Sequence, residues 1–133
     1  MFPLAFALIV LIGGAIIGLF MAGAHVKGVE SGKGVGILHG VFVLAGLALM
    51  GTGMVQIGGG WWLFVGFLVV ASGGAYLFSR QMTDKPWPAL VIIAHGGLAI
   101  ALLITMGLWL AGATGGADNP VLPEQPEVGA VQP

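Results

Sequence analysis

Four long runs of apolar residues make up most of the chain, and short polar stretches separate them. The runs cover residues 3–25, 35–57, 61–79 and 88–112. Each is close to the roughly 17 to 25 residues that a helix needs to cross the bilayer. Strands are not expected, because the runs lack the alternation of a transmembrane barrel and lipid leaves no other way to pair backbone groups. The pattern predicts an all-α membrane protein with four transmembrane helices.

The composition supports a membrane environment and removes several classes of function. The chain has 133 residues, of which 58% are hydrophobic and 7% are charged, against about 25% charged in soluble domains. We therefore expect the lipid bilayer to cover most of its surface. The chain has no cysteine, which excludes disulfides, thiolate metal sites and iron–sulfur clusters. A net charge of −1 gives no indication of a nucleic-acid partner.

Two of the apolar runs share a motif that contains a histidine. "LHGVFVLAGLALMG" at residues 38–51 aligns with "AHGGLAIALLITMG" at residues 94–107, at an offset of 56. The identical pairs are His39 and His95, Gly40 and Gly96, Ala45 and Ala101, Leu47 and Leu103, Met50 and Met106, and Gly51 and Gly107. An ionisable residue kept at one place in both membrane segments suggests a shared task.

The repeat divides the chain into two helical hairpins, residues 1–57 and 60–112, followed by a proline-rich tail over residues 113–133. Both hairpins begin on the same side, so the repeat is parallel, with a pseudo-twofold axis along the membrane normal. No basic residue precedes the first apolar run, which predicts a retained helix rather than a cleaved signal peptide. The cations fall between helices 1 and 2 or between helices 3 and 4: Lys27, Lys33, Arg80 and Lys85. The positive-inside rule then predicts a multi-pass inner-membrane protein with both termini outside.

The predicted spans contain no Asp, Glu, Lys or Arg. This argues against a proton-coupled exporter, which needs a buried carboxylate, and against a channel lined by charged rings. The ionisable candidates are His25, His39 and His95, all on the predicted cytoplasmic side. His25 lies at the end of helix 1, where a histidine is most often an ordinary interfacial residue.

The two repeated histidines are candidates for cofactor ligation. Helices 2 and 4 are diagonal neighbours in an up-down bundle, so His39 and His95 can approach a common point on the pseudo-twofold axis. Neutral imidazoles on both sides of an iron are the usual ligands of b-type haem in membrane bundles. Gly40 and Gly96 would leave room for the macrocycle, and the repeated methionines would line an apolar cavity. Two histidines without carboxylates or thiolates make a poor zinc site.

Three interpretations of these residues stay open. In the first, the chain is an electron-transfer subunit that binds haem b or a quinone through His39 and His95, with His25 and Gln81 as flanking polar groups. In the second, the histidines bond backbone carbonyls and tighten a gap between helices. The chain would then be a non-catalytic accessory subunit of a larger membrane complex, or a homo-oligomer. In the third interpretation, the chain is a transport protein. None of the three interpretations assigns an enzymatic reaction to the chain.

The motifs "GAHVKG", "LHGVFVLAG" and "KPWPALVIIAHGGLAIA" resemble those of small, uncharacterised four-helix proteins of the bacterial inner membrane. The resemblance covers nearly all of the chain before the tail. It implies a membrane location and, in each hairpin, a histidine at the inner end of the odd helix with "HG" 14 residues later. The first hairpin has both, as His25 and His39, whereas the second has His95 but carries Gln81 in place of the other histidine. A symmetric site of four histidines is therefore not expected.

Overall fold

The computed structural model of the chain describes residues 2–115, with side chains as far as residue 112. These residues form four helices: α1 Phe2–Val26, α2 Lys33–Ile57, α3 Trp61–Met82 and α4 Ala89–Gly115. All four are long and apolar enough to cross a membrane, which confirms the predicted all-α fold with four helices able to span a membrane. The first three residues of the predicted tail, 113–115, continue α4, and the rest of the tail lies outside the described residues.

Glycines form the tight turn between α2 and α3. Gly58 ends α2 with φ 66°, and its amide N–H donates to the carbonyl of Met54 at 3.0 Å. Gly60 begins α3 with φ 79°. Both residues lie in the left-handed region, which costs glycine nothing and other residues about 1 kcal/mol or more. Three glycines, residues 58–60, therefore suffice to reverse the chain.

The helices pack in a ring in which each contacts its two neighbours along the chain and α4 returns to α1. Helices α2 and α4 lie diagonally, as predicted. The closest packing is between α1 and α2, and glycines on α2 permit it. A Cβ atom at Gly46 would lie 2.6 Å from the side chain of Leu11, and one at Gly53 would lie 2.5 Å from that of Leu4. Small residues at such points let membrane helices approach closely.

The bundle is solid near the α2–α3 turn, and we call this half the turn end. Its buried core consists of Leu4, Ala7, Leu11, Leu47, Met50, Met54, Leu63, Phe67 and Met106. The repeated methionines, Met50 and Met106, are fully buried in this core and line neither of the two cavities described below. The expectation that they line an apolar cavity is therefore wrong, because the turn end is filled by interlocking side chains.

The opposite end carries the α1–α2 and α3–α4 loops, and we call it the loop end. Here polar contacts join the two hairpins. Lys33 forms an ion pair with Asp84 at 2.9 Å. The amide Nε2 of Gln81, a buried residue, donates to the carbonyl of Ser31 at 3.0 Å. The exposed ion pair contributes little stability by itself. The Gln81 amide makes this one hydrogen bond, and its Oε1 atom is buried without a hydrogen-bond partner among the described residues.

Candidate functional site: a histidine pair between two cavities

The two repeated histidines meet in the half of the bundle nearest the loop end. The ring centroids of His39 on α2 and His95 on α4 are 6.2 Å apart, with an angle of 77° between the ring planes. Both side chains are partly buried. The diagonal arrangement of α2 and α4 thus brings together the pair that the sequence predicted.

Each imidazole is held by a backbone carbonyl of the preceding helix. His39 Nδ1 bonds the carbonyl of Gly14 at 2.8 Å, and His95 Nδ1 bonds that of Val70 at 2.9 Å. A carbonyl only accepts hydrogen bonds, so Nδ1 carries the proton in both rings. In the neutral ring this leaves Nε2 with a free lone pair. The two carbonyls are 56 residues apart, the same offset as the histidines.

Each histidine ring packs against a glycine, and we call this glycine the seat of the ring. A Cβ atom at Gly18 would lie 3.0 Å from Cε1 of His39, and one at Gly74 would lie 2.8 Å from Cε1 of His95. These distances are closer than ordinary van der Waals contact, so a side chain at either position would displace the ring. Gly18 and Gly74 are again separated by 56 residues.

Two cavities flank the histidine pair, and both rings line both of them. The α2–α3 cavity has a volume of about 380 Å³ and includes Gly40 in its wall. The α1–α4 cavity has a volume of about 110 Å³ and includes Gly96. A Cβ atom at either glycine would meet no atom within 4 Å, so these glycines widen the cavities and serve no close packing.

The two cavities differ in size, and one pair of equivalent positions contributes to the difference. Leu19 of α1 and Ile92 of α4 line the smaller cavity. The residue 56 positions after Leu19, Ala75, lines only the larger cavity, whereas the counterpart of Ile92, Gly36, lines both. The smaller side chain of Ala75 leaves more space between α2 and α3 than Leu19 leaves between α1 and α4.

His25 is not brought to the pair. It is exposed at the loop end and stacks on Trp87, with the ring centroids 5.3 Å apart. Its counterpart at the 56-residue offset, Gln81, contacts Ser31, whose own counterpart is Trp87. The two contacts are therefore reciprocal across the interface between the hairpins, as in an isologous dimer.

Sequence reasoning did not identify the partners of the histidines, namely the carbonyls of Gly14 and Val70 and the seats at Gly18 and Gly74. The glycine seats carried a usable signal, because they obey the same 56-residue offset as the histidines. The carbonyls carried none, since every residue has one. Within residues 2–115 no three metal-ligating side chains of His, Asp or Glu lie together, so the pair offers two protein ligands and no third.

No protein-family model, curated protein or solved structure matches this chain. The fold and the geometry of the histidine pair therefore carry the functional argument alone.

Proposed function

We propose that this chain is an electron-transfer protein of the bacterial inner membrane that holds one b-type haem between His39 and His95. The observation that carries the proposal is the 6.2 Å separation of the two ring centroids. A metal–imidazole bond of about 2 Å on each side of an iron, plus the half-widths of the two rings, gives a separation of about 6 Å. The histidine spacing suits an iron between the rings.

The donor set also suits a haem better than a bare ion. A haem iron receives four nitrogens from its macrocycle, so the protein needs to supply only two axial ligands. The pair supplies two imidazoles, each with Nδ1 bonded to a carbonyl. Such bonds fix the orientation of a ligating ring and raise its basicity. When bound, the haem supplies one-electron redox chemistry.

The cavities support a lipid-soluble redox partner such as a quinone. Both border the histidine pair and no charged residue lines either of them. They lie at seams between helices that face lipid, so a water-soluble donor would not reach them. A quinol pool in the bilayer is the natural source of electrons for such a site.

Two finer features of the architecture belong to the same proposal. The chain consists of two parallel hairpin repeats, which the reciprocal contacts of His25 with Trp87 and of Gln81 with Ser31 support. Its loop end faces the cytoplasm, which the positive-inside rule supports because all four cations lie there.

The visible spectrum of the detergent-purified protein tests the haem. We expect a red protein whose reduced form shows the sharp α and Soret bands of a low-spin bis-imidazole haem. His39→Ala and His95→Ala should each abolish that low-spin character, because a six-coordinate iron needs both axial donors. His25→Ala is the matched control and should keep the spectrum. A colourless protein from cells supplied with haem would refute the proposal.

A structural role for the histidines is the second candidate, and the carbonyl bonds favour it. These bonds close α1 on α2 and α3 on α4 without any ligand, as an accessory subunit would require. In that case each histidine variant would cost about 1–2 kcal/mol of stability, the value of one interhelical hydrogen bond. The purified protein would be colourless, which separates the two candidates.

A further inference from the structure

The two cavities beside the histidine pair differ in whether they can hold a ligand of cofactor size. The α2–α3 cavity, at about 380 Å³, lies within the range of roughly 300–1,000 Å³ that is usual for small-molecule and cofactor sites. The α1–α4 cavity, at about 110 Å³, is smaller than that range. Both imidazoles line both cavities, so a large ligand held by the pair has room on one side only.

The α2–α3 cavity follows its two helices for several turns. Its described lining reaches from Gly36 to Leu44 on α2 and from Phe67 to Phe78 on α3, which corresponds to about 12 Å and about 16 Å along the helix axes. The two histidines are the only polar side chains in that lining, and the other residues are aliphatic, aromatic or glycine. A flat, apolar ring system can therefore stand upright between the two helices.

The mouth of this cavity faces the lipid. On α2, the side chains of Ile37, Val41 and Leu44 line the cavity and are 52%, 55% and 69% exposed. On α3, Ala75 also lines it and is exposed. Exposed apolar residues on a membrane-spanning helix contact lipid tails. An apolar ligand can thus move between the bilayer and the histidine pair without crossing a polar surface.

Small residues keep this space open on both helices. Ala75 lines the larger cavity, whereas its counterpart at the 56-residue offset, Leu19, lines only the smaller one. On α2, Gly40 lines the larger cavity, and a Cβ atom there would meet no atom within 4 Å. A larger side chain at Ala75 or Gly40 would therefore occupy part of the cavity.

We infer that the ligand of the histidine pair lies to one side of the pair, with the body of its ring system in the α2–α3 cavity, and that Ala75 determines how much of it fits. This inference rests on the proposed function, in which the ligand is a b-type haem, and adds where the haem lies. His39 and His95 hold the iron at the inner side of the cavity, and the apolar walls of α2 and α3 enclose the macrocycle. The mouth beside Ala75 admits the haem from the lipid.

Titration of the detergent-purified apoprotein with haem, followed by its visible spectrum, tests the inference. Ala75→Leu introduces the side chain found at the equivalent point of the smaller cavity. We expect it to lower the affinity for haem about tenfold or more, because the added atoms overlap the macrocycle. Ala75→Ser keeps the residue small and should bind haem like the wild type. Ala22→Leu, at a residue that lines only the smaller cavity, is the matched control and should change the affinity less than about twofold.

A second comparison separates loss of space from loss of folding. Gly40→Val and Gly96→Val change equivalent residues, of which the first lines the larger cavity and the second the smaller. A Cβ atom at either position meets no atom within 4 Å, so the two apoproteins should have equal free energies of unfolding. Gly40→Val should nevertheless weaken haem binding several-fold more than Gly96→Val. The Ala75→Leu apoprotein should be no less stable than the wild type, because the leucine fills open space.

The outcomes distinguish the inference from the proposed function. Wild-type affinity in both Ala75→Leu and Gly40→Val would overturn the inference and leave the haem between the histidines. Larger losses of affinity in Ala22→Leu and Gly96→Val would place the haem in the smaller cavity and overturn the inference as well. A wild-type protein that binds no haem would refute the proposed function, and the inference with it.

Discussion

At the scale of single residues, the glycine beside each histidine determines whether the imidazole keeps its place. His39 and His95 lie in an apolar part of the bundle, where a polar group without a partner is costly. The carbonyl of the adjacent helix satisfies Nδ1, and the ring fits there because Gly18 or Gly74 carries no side chain at its Cε1 edge. The chemistry of the pair thus depends on two residues that have no side chain.

Alanine at these glycines should therefore be destabilising. In Gly18→Ala or Gly74→Ala the new methyl group would overlap the ring of His39 or His95 and lengthen its carbonyl bond. We expect each to lower the free energy of unfolding in detergent by about 1–3 kcal/mol and to weaken binding of the proposed haem. Gly97→Ala, at an exposed position with nothing within 4 Å, should change stability by less than about 0.5 kcal/mol. Equal losses of stability at all three positions would contradict the conclusion that Gly18 and Gly74 make room for the histidine rings.

At the scale of helices, stability comes from fit between surfaces rather than from removal of apolar groups from water. Lipid tails are as apolar as a leucine side chain, so helices in a membrane associate through van der Waals packing and polar contacts. The interlocked core at the turn end provides that packing. The seams beside the histidines do not, since cavities take the place of side chains there.

Truncation of the core methionines checks this division. Met50→Ala and Met106→Ala should each lower the free energy of unfolding by about 2 kcal/mol. This value is near the lower end of the range for truncating a buried methionine, because moving an apolar side chain from lipid into the protein gains little free energy. Leu44→Ala and Ile104→Ala remove similar volumes from the lipid-facing surface and should have almost no effect on reversible unfolding in detergent. A comparable loss at the exposed positions would show that a partner helix covers them.

The helices could be predicted from hydropathy because the cost of leaving backbone groups unpaired in lipid allows no other structure. The meeting of His39 and His95 could be predicted from the repeat, since equivalent positions on diagonal helices face a common axis. The rotation of each helix about its own axis could not. That rotation decides that Gly18 and not Gly23 meets an imidazole, and it also places Met50 in the core rather than along a cavity.

At the scale of the whole molecule, the charges give the protein two unlike faces. All described charged side chains lie at the loop end, while the turn between α2 and α3 consists of three glycines. Because the positive-inside rule operates through short loops of this kind, the polarity of the molecule predicts how it lies in the bilayer.

Cysteine accessibility tests this orientation, and the chain offers a cysteine-free background. In intact cells, Ser31→Cys and Thr83→Cys in the two loops should be protected from an impermeant thiol reagent. Ala130→Cys, outside the described residues, should be labelled. Both loop cysteines should react once the membrane is opened. Labelling of the loop positions in intact cells would invert the orientation and place the histidine pair near the outer surface.

The close fit of α1 against α2 has a consequence for biosynthesis. The chain is made from its amino terminus, so α1 and α2, which pack closely where Gly46 meets Leu11 and Gly53 meets Leu4, are synthesised before α3 and α4. We expect the first hairpin to pack before the second one and to form the surface against which α3 and α4 then pack, because chains generally fold their amino-terminal parts first. His95 arrives with the last helix to be synthesised. A haem bound as proposed would therefore gain its second histidine ligand only after α4 has been inserted.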